Sequence, residues 1–205
     1  MKYALPLSIL LTAVCSRAIA ADESKSSGFY GRLALGQSTI DFDSELEQAT
    51  KSDNTDFSWE VGAGYQFNKK WSIELAWLDM GDHSVSGPLF LTDAATQKTI
   101  AREATAEAQL HGAVVRAIRT FHFTERLNLS VKAGVYAWDQ DGEGRLLAEE
   151  SRPEVSFDLD KSGYDITYGL SAGYKLKEGA SVALEWDHHS IFDADVFSIS
   201  LKKKF

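Results

Sequence analysis

The chain has 205 residues and carries 30 acidic against 21 basic side chains, a formal net charge of -9 that argues against nucleic acid as a partner. It has one cysteine, Cys15, and no later run of eighteen apolar residues, so neither a disulfide framework nor a spanning helix is available. Any membrane signal must therefore come from strand patterning.

At the N-terminus, Lys2 precedes the apolar run Ala4 to Val14, and Ala18-Ile19-Ala20 supplies small residues at a cleavage site. Residues 1–20 read as a secretory signal, cleaved after residue 20 or 21. Its removal takes away Lys2, Arg17 and Cys15 and moves the net charge from -9 to -11. Residues 21–205 then form one domain without a linker or a nucleotide-binding glycine loop.

Strand one is expected near Phe29 to Gln37, with Phe29, Gly31, Leu33 and Leu35 opposite Tyr30, Arg32 and Ala34. A long acidic loop follows to about Asp56, with Asp41, Asp43, Glu45 and Glu47. The clearest pattern comes next. Phe57, Trp59, Val61, Ala63, Tyr65 and Phe67 share one face of strand two, and Ser58, Glu60, Gly62, Gly64 and Gln66 share the other. After the turn Asn68-Lys69-Lys70, strand three sets Trp71, Ile73, Leu75 and Trp77 against Ser72, Glu74 and Ala76. Each arm has about the 9–11 residues that a tilted strand needs to cross a bilayer.

A second long loop is expected from about Gly81 to Ala104, holding Pro88, before strand four at Thr105 to Phe121. Arg116 and Arg119 lie three positions apart and must face opposite sides. Outward arginine costs about 2–4 kcal/mol at mid-bilayer and about 0–1 near the interface, so Arg119, nearer the turn, is placed outward and Arg116 inward. Strand five alternates Leu127, Leu129, Val131, Ala133 and Val135 with Asn128, Ser130, Lys132 and Gly134, closing near Trp138. A third loop, about Asp139 to Gly163, holds Pro153. Strand six runs from Tyr164 to Leu176, and strand seven places Val182, Leu184 and Trp186 outward and Ser181, Glu185 and Asp187 inward. Strand eight places Phe197, Ile199, Leu201 and Phe205 outward, with Ser198, Ser200, Lys202 and Lys204 inward.

Long loops alternate with short turns, and a sheet edge cannot be left unpaired in hydrocarbon. The expectation is an all-β, eight-stranded antiparallel up-and-down transmembrane β-barrel with short turns facing the periplasm and long loops outside. Aromatic girdles are expected from Trp59, Trp77, Trp138 and Trp186 at one interface and Tyr65, Trp71, Tyr174 and Phe205 at the other.

The segments GxGYQFNKKWSIELAWLDMG from Gly62 and RLNLSVKAGVYAWD from Arg126 to Asp139 resemble strands of the outer membrane protein A transmembrane domain family. The ending VFSISLKKKF, to Phe205, resembles the terminal strand read by the outer-membrane assembly machinery. The resemblance implies a Gram-negative outer-membrane location, a monomer in contact with lipid and lipopolysaccharide, and roles in adhesion, envelope structure or narrow ion passage. The chain stops at strand eight, so the family's peptidoglycan-binding domain is not expected and wall anchoring is not implied.

Three groupings are candidate sites. Arg32, Glu60, Glu74, Arg116, Lys132, Lys175 and Glu185 carry both signs on lumen positions and should pair across an interior with room for little else. The segment Asp139 to Glu150 has calcium-loop spacing, with Asp139, Asp141, Glu143, Gly144 and Glu150 at positions one, three, five, six and twelve. It departs from that pattern in using Glu at position five and in leaving a strand rather than a helix. His188 and Ser190, on an outward face, resemble the base and nucleophile of outer-membrane lipid A deacylases, although Ile191 stands where that family has Asn. The first expectation is a non-enzymatic structural or surface-interaction barrel acting through acidic extracellular loops, its lumen filled by paired charges. A low-conductance ion channel is the alternative, and a His188/Ser190 deacylase is a further one.

Overall fold

The computed structural model describes residues 27–40, 51–92, 99–147, 154–177 and 179–205. Residues 1–20, expected to be an export signal, the first-loop acids Asp41, Asp43, Glu45 and Glu47, Pro153 and Glu150 lie outside these residues.

The hairpin between Phe57 and Asp79 forms as its alternation requires. β1 (Gly28–Thr39) and the short β2 (Lys51–Asp53) precede it, and its arms are β3 (Thr55–Gln66) and β4 (Trp71–Thr92). Asn68 makes the turn: its side-chain oxygen accepts the backbone N–H groups of Lys70 (2.8 Å) and Trp71 (2.9 Å). The register then pairs Gly64 with Glu74 and Val61 with Trp77.

β5 (Thr99–His122), β6 (Leu127–Leu146), β7 (Val155–Asp158), β8 (Lys161–Lys175), β9 (Ala180–His189) and β10 (Ala194–Lys204) complete the sheet. Eight of these strands run in the order β4-β3-β1-β10-β9-β8-β6-β5, and β5 pairs back onto β4. β1 and β10 form one seam of this ring, from Tyr30 opposite Lys204 to Thr39 opposite Asp195. The result is a closed eight-stranded antiparallel barrel without a free edge in the wall.

Apolar side chains on odd positions of β1 and β10 point outward. Leu33, Leu35, Phe197, Ile199 and Leu201 are all exposed, as a lipid-facing wall requires. Arg116 is buried inside. Arg119 lies on the outer face near the short-turn end, its guanidinium 5.3 Å from the Trp71 ring and 5.1 Å from the Phe121 ring.

Two of the expected loops are largely strand. β4, β5 and β6 continue past the barrel, and β4 and β5 pair from Asp82 opposite Gln109 to Thr92 opposite Thr99. β2 pairs with β4 on one side of this extension, and β7 pairs with β6 on the other. Past Asp79 the strand β4 reaches roughly 40 Å at about 3.3 Å per residue. The alternation was silent here because a ladder wetted on both faces needs no apolar side. Pro88 accordingly lies within β4, opposite Glu103, not in a loop. Among the described residues β2 pairs with Ser84 to Ser86 and stops short of Pro88, which fits a residue that has no N–H to give to a second neighbour.

A bulge separates wall from extension. The β4–β5 register shifts between Asp79 and Asp82, where Gly81 has φ +83. Asp79 accepts the Gly81 N–H (2.8 Å), and the Asp56 carboxylate accepts the N–H groups of Asp82 (2.6 Å) and Phe57 (2.7 Å).

The lumen as candidate functional site

Inward positions place three layers along the barrel. Nearest the long extensions is an apolar plug of Ile40, Leu78, Met80, Leu110, Val114, Tyr136, Ala194 and Val196, all buried. Tyr136 also packs edge-on against His189, with ring centroids 4.9 Å apart.

The middle layer is an ion-pair network. Arg32 donates to Glu60 and to Glu185 (2.6 Å), with Glu74 at 3.7 Å. Arg116 pairs with Glu60, with Glu74 (2.9 Å) and with Asp187 (3.4 Å). Lys132 bridges Glu185 (2.6 Å) and Asp187 (2.5 Å). Tyr30 donates its hydroxyl to Glu74 (3.0 Å), and Ser200 donates to Glu185. Each charge has several partners, which offsets the cost of taking it out of water. The residues come from seven different strands, so the network ties the wall across its own interior.

Toward the short-turn end the lumen opens into a cavity of about 360 Å³ in which charged and hydroxyl side chains stand among apolar ones such as Trp71 and Ile118. Six cationic side chains line it, Arg32, Lys69, Lys132, Lys175, Lys202 and Lys204, against the two carboxylates of Glu74 and Glu185.

The structure thus brings together Arg32, Glu60, Glu74, Arg116, Lys132 and Glu185 from the expected set. Lys175 does not join them. It is exposed at the cavity mouth, at the end of β8 and below the level of the buried carboxylates. Asp187 takes a place in the network that the sequence grouping left out, although its inward parity was already plain. The plug was missed altogether. Its signal was parity again, since Leu78 and Met80 continue the face of Glu74, and Val114 that of Arg116.

Trp138 is a correction to the outer girdle. It shares parity with Lys132 and Tyr136, faces the lumen and packs against the plug. Its ring also fills the space beside Gly163, where a Cβ would come within 2.8 Å of it.

The calcium loop is also corrected. Asp139, Asp141 and Glu143 lie in the extended strand β6, opposite His111, Gln109 and Glu107. A paired, extended strand sets these carboxylates in a row along one face, whereas a calcium loop needs the backbone to wrap so that its oxygens surround one point. Glu143 instead pairs with Arg145 at 2.9 Å, and the described residues hold no cluster of three metal-ligating side chains.

His188 turns its Nδ1 to Asp195 (3.1 Å) and its Nε2 toward Asp193 (3.5 Å). Ser190 leaves the strand in a helical turn (φ -65, ψ -17), so the two no longer share a face as base and nucleophile. Phe205 is exposed, and its N–H donates to the carbonyl of Phe29 (3.0 Å) at the closing seam.

A closed barrel with an apolar outer wall and a lumen packed with paired charge is the architecture of a small transmembrane β-barrel. The family model for the outer membrane protein beta-barrel domain matches residues 7–205, and the chain belongs to that family. Among solved structures it is similar to Ail, the attachment invasion locus protein of Yersinia pestis, at 12% identity and TM-score 0.50, covering 86% of this chain and 97% of that one. It is also similar to neisserial surface protein A, at 11% identity and TM-score 0.51, covering 88% and 100%. At these identities the likeness is one of fold. A search of the curated proteins gave no match.

Proposed function

We propose that this protein is a closed, non-conducting barrel of the outer membrane whose work is done by the sheet it holds beyond the bilayer, in a structural or surface-interaction role. The observation that carries this reading is the division of labour along the strands. Three of them run 20 to 24 residues, about twice the bilayer requirement, while the lumen beneath is obstructed by the ion-pair layer and the plug. In this reading residues 1–20 are the cleaved export signal, the β10 ending at Phe205 engages the assembly machinery, and the monomer stands among lipid and lipopolysaccharide with its short turns in the periplasm.

The refolded protein should be silent in planar bilayers, with folding confirmed by heat-modifiable gel mobility. Discrete conductance in the folded wild type would instead support the second reading, a low-conductance channel, which the cavity below the network favours. Replacing residues 84–107 by a short turn should leave the barrel folded and abolish surface attachment by cells that display it; unchanged attachment would remove the role of the extension.

A further inference from the structure

The cavity at the short-turn end has a chemistry that neither a plugged wall nor a surface sheet requires. Consecutive rungs of the barrel set Lys175 of β8 opposite Ser181 of β9, Ser181 opposite Lys202 of β10, and Lys202 opposite Arg32 of β1. All four residues line the cavity. Arg32 is spent on Glu60 and Glu185, whereas the Lys202 ammonium stands 4.6 Å over the ring of Tyr30. An aromatic face eases the burial of a cation without using the ammonium's hydrogen-bond donors. The four buried carboxylates, Glu60, Glu74, Glu185 and Asp187, take their ion-pair contacts from Arg32, Arg116 and Lys132.

We propose that this cavity is a binding site for a small multivalent oxyanion of the phosphate type, held between Lys202 and Lys175 with the Ser181 hydroxyl between them. Two inter-strand steps separate the lysine backbones by about 10 Å, a gap that two long side chains close onto one ion. Asn128 and Ser130, on the strand β6 that neighbours β8, also line the cavity and offer neutral donors. Donors converging from several walls suit a tetrahedral ion with many acceptor oxygens better than a single carboxylate. At about 360 Å³ the cavity lies at the small end of the range of about 300–1,000 Å³ found for ligand sites, room enough for a diphosphate. With the whole network included, Arg32, Lys69, Arg116, Lys132, Lys175, Lys202 and Lys204 still outnumber Glu60, Glu74, Glu185 and Asp187, and this cationic balance supplies the attraction from bulk solvent.

The test is titration calorimetry of pyrophosphate into the refolded full chain in zwitterionic micelles, at fixed ionic strength. Wild type should take up one pyrophosphate per barrel. Lys202→Gln should weaken it by at least about tenfold, the loss expected for one charge-assisted contact. Lys175→Gln should weaken it severalfold, and Lys202→Arg should retain most of the affinity. Arg145→Gln, an exposed cation on the extension, should bind as wild type. Lys175 is exposed at the mouth, so its variant decides the matter even if Lys202→Gln fails to fold. Absence of saturable heat, or equal binding by wild type and Lys175→Gln, would overturn the proposal.

Discussion

The two ends of the lumen share one set of strands and one parity rule, yet their chemistry is opposite. On β4 the inward residues run Ser72, Glu74, Ala76, Leu78 and Met80, from the cavity at the short-turn end through the ion pairs into the plug. On β5, read in the reverse direction, Thr120, Ile118, Arg116, Val114 and Leu110 make the same passage. A barrel of eight strands has an interior just wide enough for side chains to fill, but how it is filled is free to vary along its axis. The apolar half is filled by buried side chains, the polar half opens to one side, and the network between them ties the strands of the wall together.

The largest break in this arrangement should come at the network. Arg116→Ala leaves Glu60, Glu74 and Asp187 each short of a partner, in a layer where Arg116 is 2% exposed. Breaking a buried pair from one side costs about 3–5 kcal/mol, so the variant should unfold at markedly lower urea in a vesicle-refolding titration. Arg116→Ala combined with Glu74→Ala should recover part of that loss, because the removed charges compensate one another. A full loss in the double variant would mean that the layer acts by shape alone.

The plug gives the next effect. Leu78→Ala removes a fully buried side chain and should cost about 2–5 kcal/mol by the same titration. Leu78→Ser with Val114→Ser makes the apolar half resemble the polar one. That variant should acquire conductance in a bilayer where the wild type is silent; continued silence would assign the seal to the ion pairs alone.

How much of this could be read beforehand follows from the same parity. The wall, the strand count, the Arg116/Arg119 assignment and the closing β1–β10 seam all follow from a lipid face that tolerates only apolar side chains. Most of the network could be read as well, since charge on an inward position has nowhere else to go. Apolar residues on those positions carry no such mark, because Leu78 or Val114 looks equally at home on either face. Trp138 was misplaced for that reason: indole suits an interfacial girdle as well as a plug. The extension was hidden because strands in water on both sides need no alternation. Asp139 to Glu143 could pass for a loop only so long as their pairing with β5 was unseen.

The joint between barrel and extension should respond less than either layer. Gly81 sits at φ +83, and a Cβ there would fall 2.5 Å from the Asp56 carboxylate and 2.6 Å from the Phe57 carbonyl oxygen. Gly81→Ala should therefore cost about 1–2 kcal/mol for the backbone conformation alone, and somewhat more for the displaced neighbours. Because the site lies outside both the plug and the network, bilayer silence should persist. A leak from this variant would show that the bulge, too, helps to close the lumen.

Asp56 tests the same joint by pH. It stands just beyond the outer aromatic band, where the N–H groups of Asp82 and Phe57 hold its carboxyl below the usual carboxylate range. A carboxyl depressed by folding stabilises the native state above its unfolded pKa, about 3.9, and loses that contribution as pH falls through the lower folded value. The side chain is almost fully solvated, so the effect should be local. Acidification from pH 5 to below pH 3 should shift the Asp82 and Phe57 amide resonances together, and Asp56→Asn should abolish the coupled transition. The lumen amides beside Glu74 and Arg116 should not follow it. If they do move with Asp56, the joint and the ion-pair layer form one cooperative unit, and the extension would be coupled to the state of the lumen rather than merely carried by it.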